Sequence, residues 1–270
     1  MASTDIQFAG SIPTLYEEIL VPLLFQPYAE DLAARLSDLK EGVVLELAAG
    51  TGAVTRVLRR TLPPAVRILA TDLNEGMIAV GSKRVADPTV TWAQANAQSL
   101  PLSDGSADAM VCQFGVMFFP DRPASYREAR RVLRSGGRYL FSVWDRLDEN
   151  PLSRVVNDAV GSLFPESPSH FFERTPFGHH DVSVIRRELE GAGFGQVSIE
   201  TVKKVTYAPT AEGAARGMCQ GTPFRGEIEA RGPTRLEDAT RVTAEALAAR
   251  YGKTHLENRM SAHVVTAVAP

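Results

Sequence analysis

The chain has 270 residues, 44% of them hydrophobic and 23% charged, with a formal net charge of −3. This is the make-up of a globular protein with enough chain to bury a sizeable core. So small a net charge supplies no field for a polyanion, which argues against nucleic acid as a partner.

The opening MASTDIQFAG has no basic stretch leading into an apolar run, so no leader is read there. Residues 14–37 are predicted helical in two pieces that part near Pro27. Leu15, Ile19, Leu32 and Leu36 recur at helical spacing, with Glu17, Glu18, Glu30 and Asp31 on other faces. The apolar ILVPLLF within them is far short of a membrane span and contains Pro22. The chain is accordingly read as cytoplasmic, without membrane insertion.

From Gly42 the pattern becomes strand, turn, helix, repeated. VVLELAA is a strand, and AVTRVLRRTL a helix stopped by Pro63 and Pro64. VRILATD is a second strand, followed by a helix from Glu75 to Arg84, and VTWAQAN is a third strand. ADAMVCQFG is a fourth; its Cys112 is read as a small core residue, and neither it nor Cys219 has a metal-ligand spacing. The helix RPASYREARRVLR is expected to end at Gly136 and Gly137, before a fifth strand, RYLFSVWD. Residues 146–180 hold Pro151, Pro165, Pro168 and Pro176 and read as an insertion with a short helix or two. VSVIRRELEGAGFGQVSIETVKKVTY then gives a helix, a glycine turn and a strand; residues 211–250 look mostly helical, and SAHVVTAVA is a last strand. Apolar strands alternating with amphipathic helices predict a parallel sheet covered on both faces.

A strand running into Gly50 and Gly52 and then into a helix lets a ligand approach the backbone with no Cβ in the way. The dinucleotide fingerprint G-x-G-x-x-G needs a third glycine where this chain has Thr55. Asp72, at the end of the second strand, is placed to accept from both hydroxyls of an adenosine ribose, which nicotinamide and methyl-donor sites both exploit. Glu46 separates the two. A buried acid repels a pyrophosphate and welcomes a cationic amino-acid moiety, as S-adenosylmethionine carries.

The stretches LELAAGTG, ATDLNEGMI, ANAQSLPLSDGSADAMVCQFGVMFFPD and RVLRSGGRYLFSVWD resemble the class I S-adenosylmethionine-dependent methyltransferases, in the branch of ubiquinone- and menaquinone-biosynthesis and other small-molecule enzymes. The resemblance covers residues 40–145 well and extends loosely to 206. It implies an α/β fold: a doubly wound, mostly parallel seven-stranded sheet with N-terminal helices and a helical cover, its last two strands antiparallel at one edge. It implies one domain in four parts: a cap (1–40), a methyl-donor core (41–145), a substrate cover (146–180), and C-terminal strands with a helical insertion (181–270). It places Glu46, Ala48, Gly50 and Gly52 around the methionyl part and ribose, Asp72 on the ribose hydroxyls, and Leu73 beside the adenine. Met77 can touch the same ring; Asn96 and Ala97 stand near the adenine amine, and Gln113 and Phe114 beside the substrate mouth. Ala48 replaces a family glycine, tolerable if that position stays strand-like, and Asn96 replaces the usual acid.

Methyl transfer from a sulfonium is an in-line displacement in which positioning supplies much of the acceleration. A general base helps only when the acceptor is a hydroxyl or a protonated amine, and no catalytic side chain is assigned. His170, His179 and His180 are the candidates, against a plain reading of GHHD as surface histidines before an Asp181 helix cap. His263, in the last strand, reads as structural. The arginines of REARRVLRSGGR read as a solvated helix face. Tyr16, in the N-terminal helices with Tyr28, is a candidate contact to the methionyl end. Phe164, Phe171, Phe172 and Phe177 are expected to help form an apolar acceptor pocket. A nicotinamide-dependent oxidoreductase and a non-catalytic S-adenosylmethionine-binding protein are the alternatives.

Overall fold

The computed structural model describes residues 8, 10–232 and 234–270, so most of the opening stretch read for a leader lies outside the described residues. Strands β1 (Gly42–Glu46), β2 (Val66–Asp72), β3 (Val90–Gln94), β4 (Ala107–Gln113), β5 (Leu133–Trp144), β6 (Val197–Thr210) and β7 (Thr254–Val268) form one sheet in the order β3-β2-β1-β4-β5-β7-β6. The first five are parallel, and β7 lies antiparallel between β5 and β6. This is the expected seven-stranded, doubly wound α/β sheet with its two antiparallel strands at one edge.

Position in the sheet explains composition. Ala109, Met110, Val111 and Cys112 of central β4 are buried on both faces, so the strand reads as an unbroken apolar run. Edge strand β6 alternates half-buried and exposed residues along most of its length. The chain moves outward from β1 to β2 and β3, then returns to β4 on the other side of β1. Connections leaving β1 and β4 therefore diverge, and a crevice opens at their carboxyl ends.

The helices are α1 (Ile12–Leu15), α2 (Gln26–Ala34), α3 (Ala53–Thr61), α4 (Glu75–Arg84), α5 (Arg122–Val132), α6 (Pro151–Ser162), α7 (Phe171–Arg174), α8 (Val182–Gly191), α9 (Ala211–Gln220), α10 (Phe224–Glu229) and α11 (Arg235–Tyr251). α2 packs on α3 and α5 on α8, while α6, α9, α10 and α11 pack together as a helical cover.

Three local expectations are corrected. Residues 12–34 do not break at Pro27, which sits in the first turn of α2; the Leu23 carbonyl that its missing N–H leaves open is met by Thr206 and Asn258. Instead Tyr16–Phe25 winds in wide π turns around Pro22, which cannot supply an α-helical bond. α5 stops at Val132 and not at the glycines, because Leu133 is buried and already pairs with Ala107. Helix α6 is longer than the insertion was expected to hold; Leu152, Val156 and Val160 form its buried stripe.

Candidate active site

A cavity of about 280 Å³ opens at the carboxyl ends of β1, β2 and β4. It brings together Tyr16, Ala48, Gly50, Asp72, Leu73, Met77, Asn96, Ala97, Gln113 and Phe114, leaving out only Glu46 and Gly52 of the candidate methyl-donor residues named above.

The turn after β1 uses backbone conformations that side chains resist. Gly50 and Gly52 have φ of +58° and +85°. A Cβ on Gly50 would point into open space, whereas one on Gly52 would come within 2.9 Å of Trp92 Cη2. Gly52 thus serves packing, and Gly50 leaves the rim open. Ala48 is not strand-like: β1 ends at Glu46, and Ala48 has φ +50°. The bonds from Leu47 N–H to the Val111 carbonyl (2.8 Å) and from Ala49 N–H to the Thr71 carbonyl (2.9 Å) hold it there. Its methyl group has room because Gly115 has no Cβ; one there would lie 2.6 Å from it.

Asp72 ends β2 with its carboxylate partly committed. Oδ2 accepts the Gly50 N–H at 2.8 Å, and Oδ1 accepts both the Asn74 N–H at 2.8 Å and Asn74 Nδ2 at 3.4 Å, leaving a lone pair on Oδ2. Burial pushes this carboxyl up in pKa, and the backbone N–H bonds pull it back. Asn96 Oδ1 accepts the Gln98 N–H at 2.9 Å, so its free capacity is smaller than an unpaired amide's.

Glu46 stands behind the turn, 2% exposed, with Oε2 accepting from Thr55 Oγ1 at 2.7 Å. Burial lifts its pKa to about 8; the Thr55 bonds and Arg56 act downward, and Asp72 upward. Thr55, read from sequence only as a missing glycine, is the partner that a buried acid requires.

The opposite side is aromatic. Phe114, at φ +50°, follows β4 and stacks on Trp144 at the end of β5, with centroids 3.9 Å apart and planes within 10°. Tyr28 meets both rings edge-on. Phe171, Phe172 and Phe177 line the cavity as expected, with Phe171 stacked on Phe224 and Phe172 on Phe177. Phe164 does not line it; Arg231 lies over its ring at 4.9 Å. Among the described lining residues only Asp72 and Tyr16 carry an ionisable group. Burial, with Asp72 and Glu17 nearby, pushes the Tyr16 hydroxyl well above its ordinary pKa, so it stays protonated.

A family model described as a methyltransferase domain matches residues 45–141. The ubiquinone/menaquinone biosynthesis C-methyltransferase UbiE of Caulobacter vibrioides is 32% identical over 197 residues, spanning 70% of this chain and 78% of that protein. Its namesake from Hahella chejuensis is 37% identical over 164 residues, spanning 56% and 66%. The chain belongs to the class I S-adenosylmethionine-dependent methyltransferases, in the UbiE-like branch. Haemonchus contortus phosphoethanolamine N-methyltransferase 2, solved with phosphomonomethylethanolamine and S-adenosylhomocysteine, shares the fold at 16% identity, with a TM-score of 0.64 over 100% of this chain and 61% of that one. S-adenosylmethionine is the methyl donor and methyl transfer the reaction. The cavity suits it: the rim is open at Gly50, Asp72 Oδ2 keeps a free lone pair, and Leu73, Met77 and Ala97 are apolar.

Several cavity residues of this methyltransferase were not anticipated, among them Phe25, Asn74, Trp144 and Met218. Aromatic density in FGVMFFPD and a tryptophan closing β5 were the available signals. The histidines stay outside the cavity. Asp181 caps α8 by accepting from the Ser183 and Val184 N–H groups. His179 is not on the surface: it is buried, 3.1 Å from the Tyr126 hydroxyl, and burial lowers its pKa to about 3. His180 meets the Phe177 carbonyl, and His263 lies between Thr201 and Asp145. Arg131, Arg134 and Arg138 pair with Asp104, Asp108 and Asp38.

Proposed function

We propose that this methyltransferase acts on a flat, apolar small molecule that brings its own nucleophile to the cavity. The observation that carries the reading is the aromatic side of the site. Phe114, Trp144, Phe171, Phe172 and Phe177 line a cavity where, among the described residues, no histidine or lysine stands to remove a proton, and the one carboxylate is Asp72, which we assign to the ribose. An acceptor there must be a carbon nucleophile or a group already ionised in solution. Stacked rings favour planar ligands over branched ones.

S-adenosylmethionine supplies the methyl group on a sulfonium, which leaves without acid assistance. We assign Asp72 to the ribose hydroxyls, and Leu73, Met77, Asn96 and Ala97 to the adenine. Ala48, Gly50 and Gly52 shape the rim for the methionyl part. Tyr16 donates a hydrogen bond at the methionyl end, and Glu46, protonated in the free chain, gives up its proton more readily when an ammonium approaches the turn and less readily beside a pyrophosphate, which favours the ammonium. Gln113 and Phe114 mark the boundary between methyl donor and acceptor. Residues 41–145 then form the methyl-donor core, while the N-terminal helices, residues 146–180 and the helices after Pro209 form the acceptor cover. No helix among the described residues is long and apolar enough to cross a membrane, and both cysteines are free and buried, which supports a cytoplasmic setting.

The test is turnover with S-adenosylmethionine and paired acceptors. 2-Naphthalenethiol, flat and largely ionised near neutral pH, should be methylated; octylamine, flexible and protonated, should not. Methylation of octylamine alone would overturn the acceptor reading and leave the methyl-donor assignment intact.

A further inference from the structure

The N-terminal segment crosses the cavity as a strap, with Phe8, Tyr16, Leu24 and Phe25 lining it. Its two ends are held by different chemistry. At the far end side chains from three strands take up two backbone carbonyls, one of them that of Leu23, four residues before Pro27, which has no N–H to give it. Gln113 Nε2 donates to the Phe25 carbonyl at 2.6 Å. Thr206 Oγ1 and Asn258 Nδ2 both donate to the Leu23 carbonyl, at 2.6 and 3.1 Å. Tyr28 adds a bond to the Val202 carbonyl at 3.1 Å. Breaking any of these leaves a largely buried polar group unmet, so this end is an anchor.

The near end is held by exposed bonds, such as Arg225 Nη1 to Ser11 Oγ at 2.8 Å, and by one buried acid. Glu17 is buried, and its Oε1 lies 3.1 Å from Arg56 Nη1 and 3.4 Å from Arg84 Nη1. Its Oε2 is buried and has no partner. Both arginines keep access to water, Arg84 on nearly half of its side chain. Arg56 directly follows Thr55, the partner of Glu46, and also reaches the Thr51 carbonyl of the glycine turn at 3.5 Å. One side chain therefore touches both the strap and the loop beneath it. Beside Glu17, Tyr16 faces the Asp72 end of the cavity, and the Phe8 N–H reaches Asn74 Oδ1 at 3.4 Å.

We propose that Glu17 is a positioning residue: it latches the strap over the methyl-donor end through Arg56 and Arg84, and opening of this latch governs exchange of S-adenosylmethionine and S-adenosylhomocysteine. The proposal rests on the reading that the methyl donor lies against Asp72 and the glycine turn. Water can solvate the parted arginines, and one carboxylate oxygen has no bond to lose. The strap therefore lifts at Glu17 and hinges at Leu23–Phe25.

The experiment is stopped-flow tryptophan fluorescence of the full chain with S-adenosylhomocysteine as probe. In Glu17→Gln both rate constants should rise, dissociation by about three- to tenfold, with the melting temperature moved by only a few degrees. Dissociation from the wild type should quicken with added salt, and the variant should lose that dependence. Arg84→Met, at a half-exposed site that folding tolerates, should raise dissociation about twofold and decides the matter if Glu17→Gln does not fold. Unchanged rate constants in the folded variants, with the wild type binding normally, would overturn the latch. An unaltered affinity in Asp72→Ala would instead overturn the reading beneath it, whatever Glu17 does.

Discussion

The two halves of the cavity are built on opposite principles. The half we assign to the methyl donor comes from consecutive turns after β1, β2 and β3, and is shaped by backbone: glycines at positive φ, a strained alanine, and a carboxylate clamped by two N–H groups. The acceptor half is assembled from rings contributed by segments far apart in the chain, stacked on one another. A backbone-built site is fixed by a short run of sequence and recognises one ligand. A ring-built site is a patch of core left open on one side, so its shape can change with any one of several segments. Under the proposed assignment, the first half is the constant part of the enzyme and the second the part that specifies what is methylated.

The largest test of that separation lies on the acceptor side. Phe171 and Phe172 are buried and pack against Phe224, so Phe171→Ala with Phe172→Ala opens a hole in the cover as well as in the acceptor wall. Each ring deleted from a core costs about 3–5 kcal/mol, and neighbouring deletions are not additive. The double variant should show a large fall in its urea midpoint. While it remains folded, calorimetric affinity for S-adenosylhomocysteine should stay within a few-fold of the wild type. Loss of that affinity in the folded variant would show that the halves are one unit.

The converse variant, Asp72→Ala, strikes the methyl-donor side. It removes an acceptor for ribose hydroxyls, bonds to a charged group that net roughly 1.5–3 kcal/mol each. Affinity for S-adenosylhomocysteine should fall by at least about tenfold. Because the carboxylate also receives the Gly50 and Asn74 N–H groups, a stability loss of about 1–3 kcal/mol should accompany it. An unchanged dissociation constant would place the ribose elsewhere.

This contrast also explains what the sequence revealed. The strands and the turn residues that line the cavity were legible because each depends on neighbours close in the chain: an apolar run, two glycines, an acid at a strand end. The acceptor half was legible only as an excess of phenylalanine, since which rings meet depends on how distant segments pack. Phe164 has the same local signature as Phe177 yet lies under Arg231, outside the cavity. Trp144 lines the cavity because β5 ends beside Phe114, a register visible only in the folded sheet. Backbone strain was invisible too. Ala48 reads as strand, and only the folded turn reveals its positive φ.

A third test concerns the electrostatics of the methyl-donor half. Burial holds the Glu46 carboxyl near 8 in the folded chain against an ordinary 4.5. Between those values the folded protein keeps a proton that the unfolded chain releases. Stability is therefore lost as pH rises through this window, with a slope of at most about 1.4 kcal/mol per pH unit, and levels off above it. Glu46→Gln carries no such charge and should flatten this part of the pH–stability profile measured by urea unfolding. An identical slope in both proteins would mean that Glu46 is ionised in the free enzyme.

The smallest expected effect probes the strained alanine. Ala48→Gly relieves a positive φ that costs an ordinary residue roughly 1–2 kcal/mol. Against this, glycine frees the unfolded chain by roughly 0.5–1 kcal/mol, and a methyl contact over Gly115 is lost. Where φ is positive the first effect is the larger, so the variant should gain about 0.5 kcal/mol and melt one or two degrees higher. Affinity for S-adenosylhomocysteine should hold, since the turn keeps its path through the Leu47 and Ala49 hydrogen bonds. The reverse crowding, Gly115→Ala, should be far worse, because its Cβ would fall 2.6 Å from that of Ala48 and 2.7 Å from Cys112 Sγ. A clear loss of stability in Ala48→Gly would mean that the methyl group packed over Gly115 outweighs the strain. The backbone-built half would then rest on side-chain packing as much as the aromatic half does.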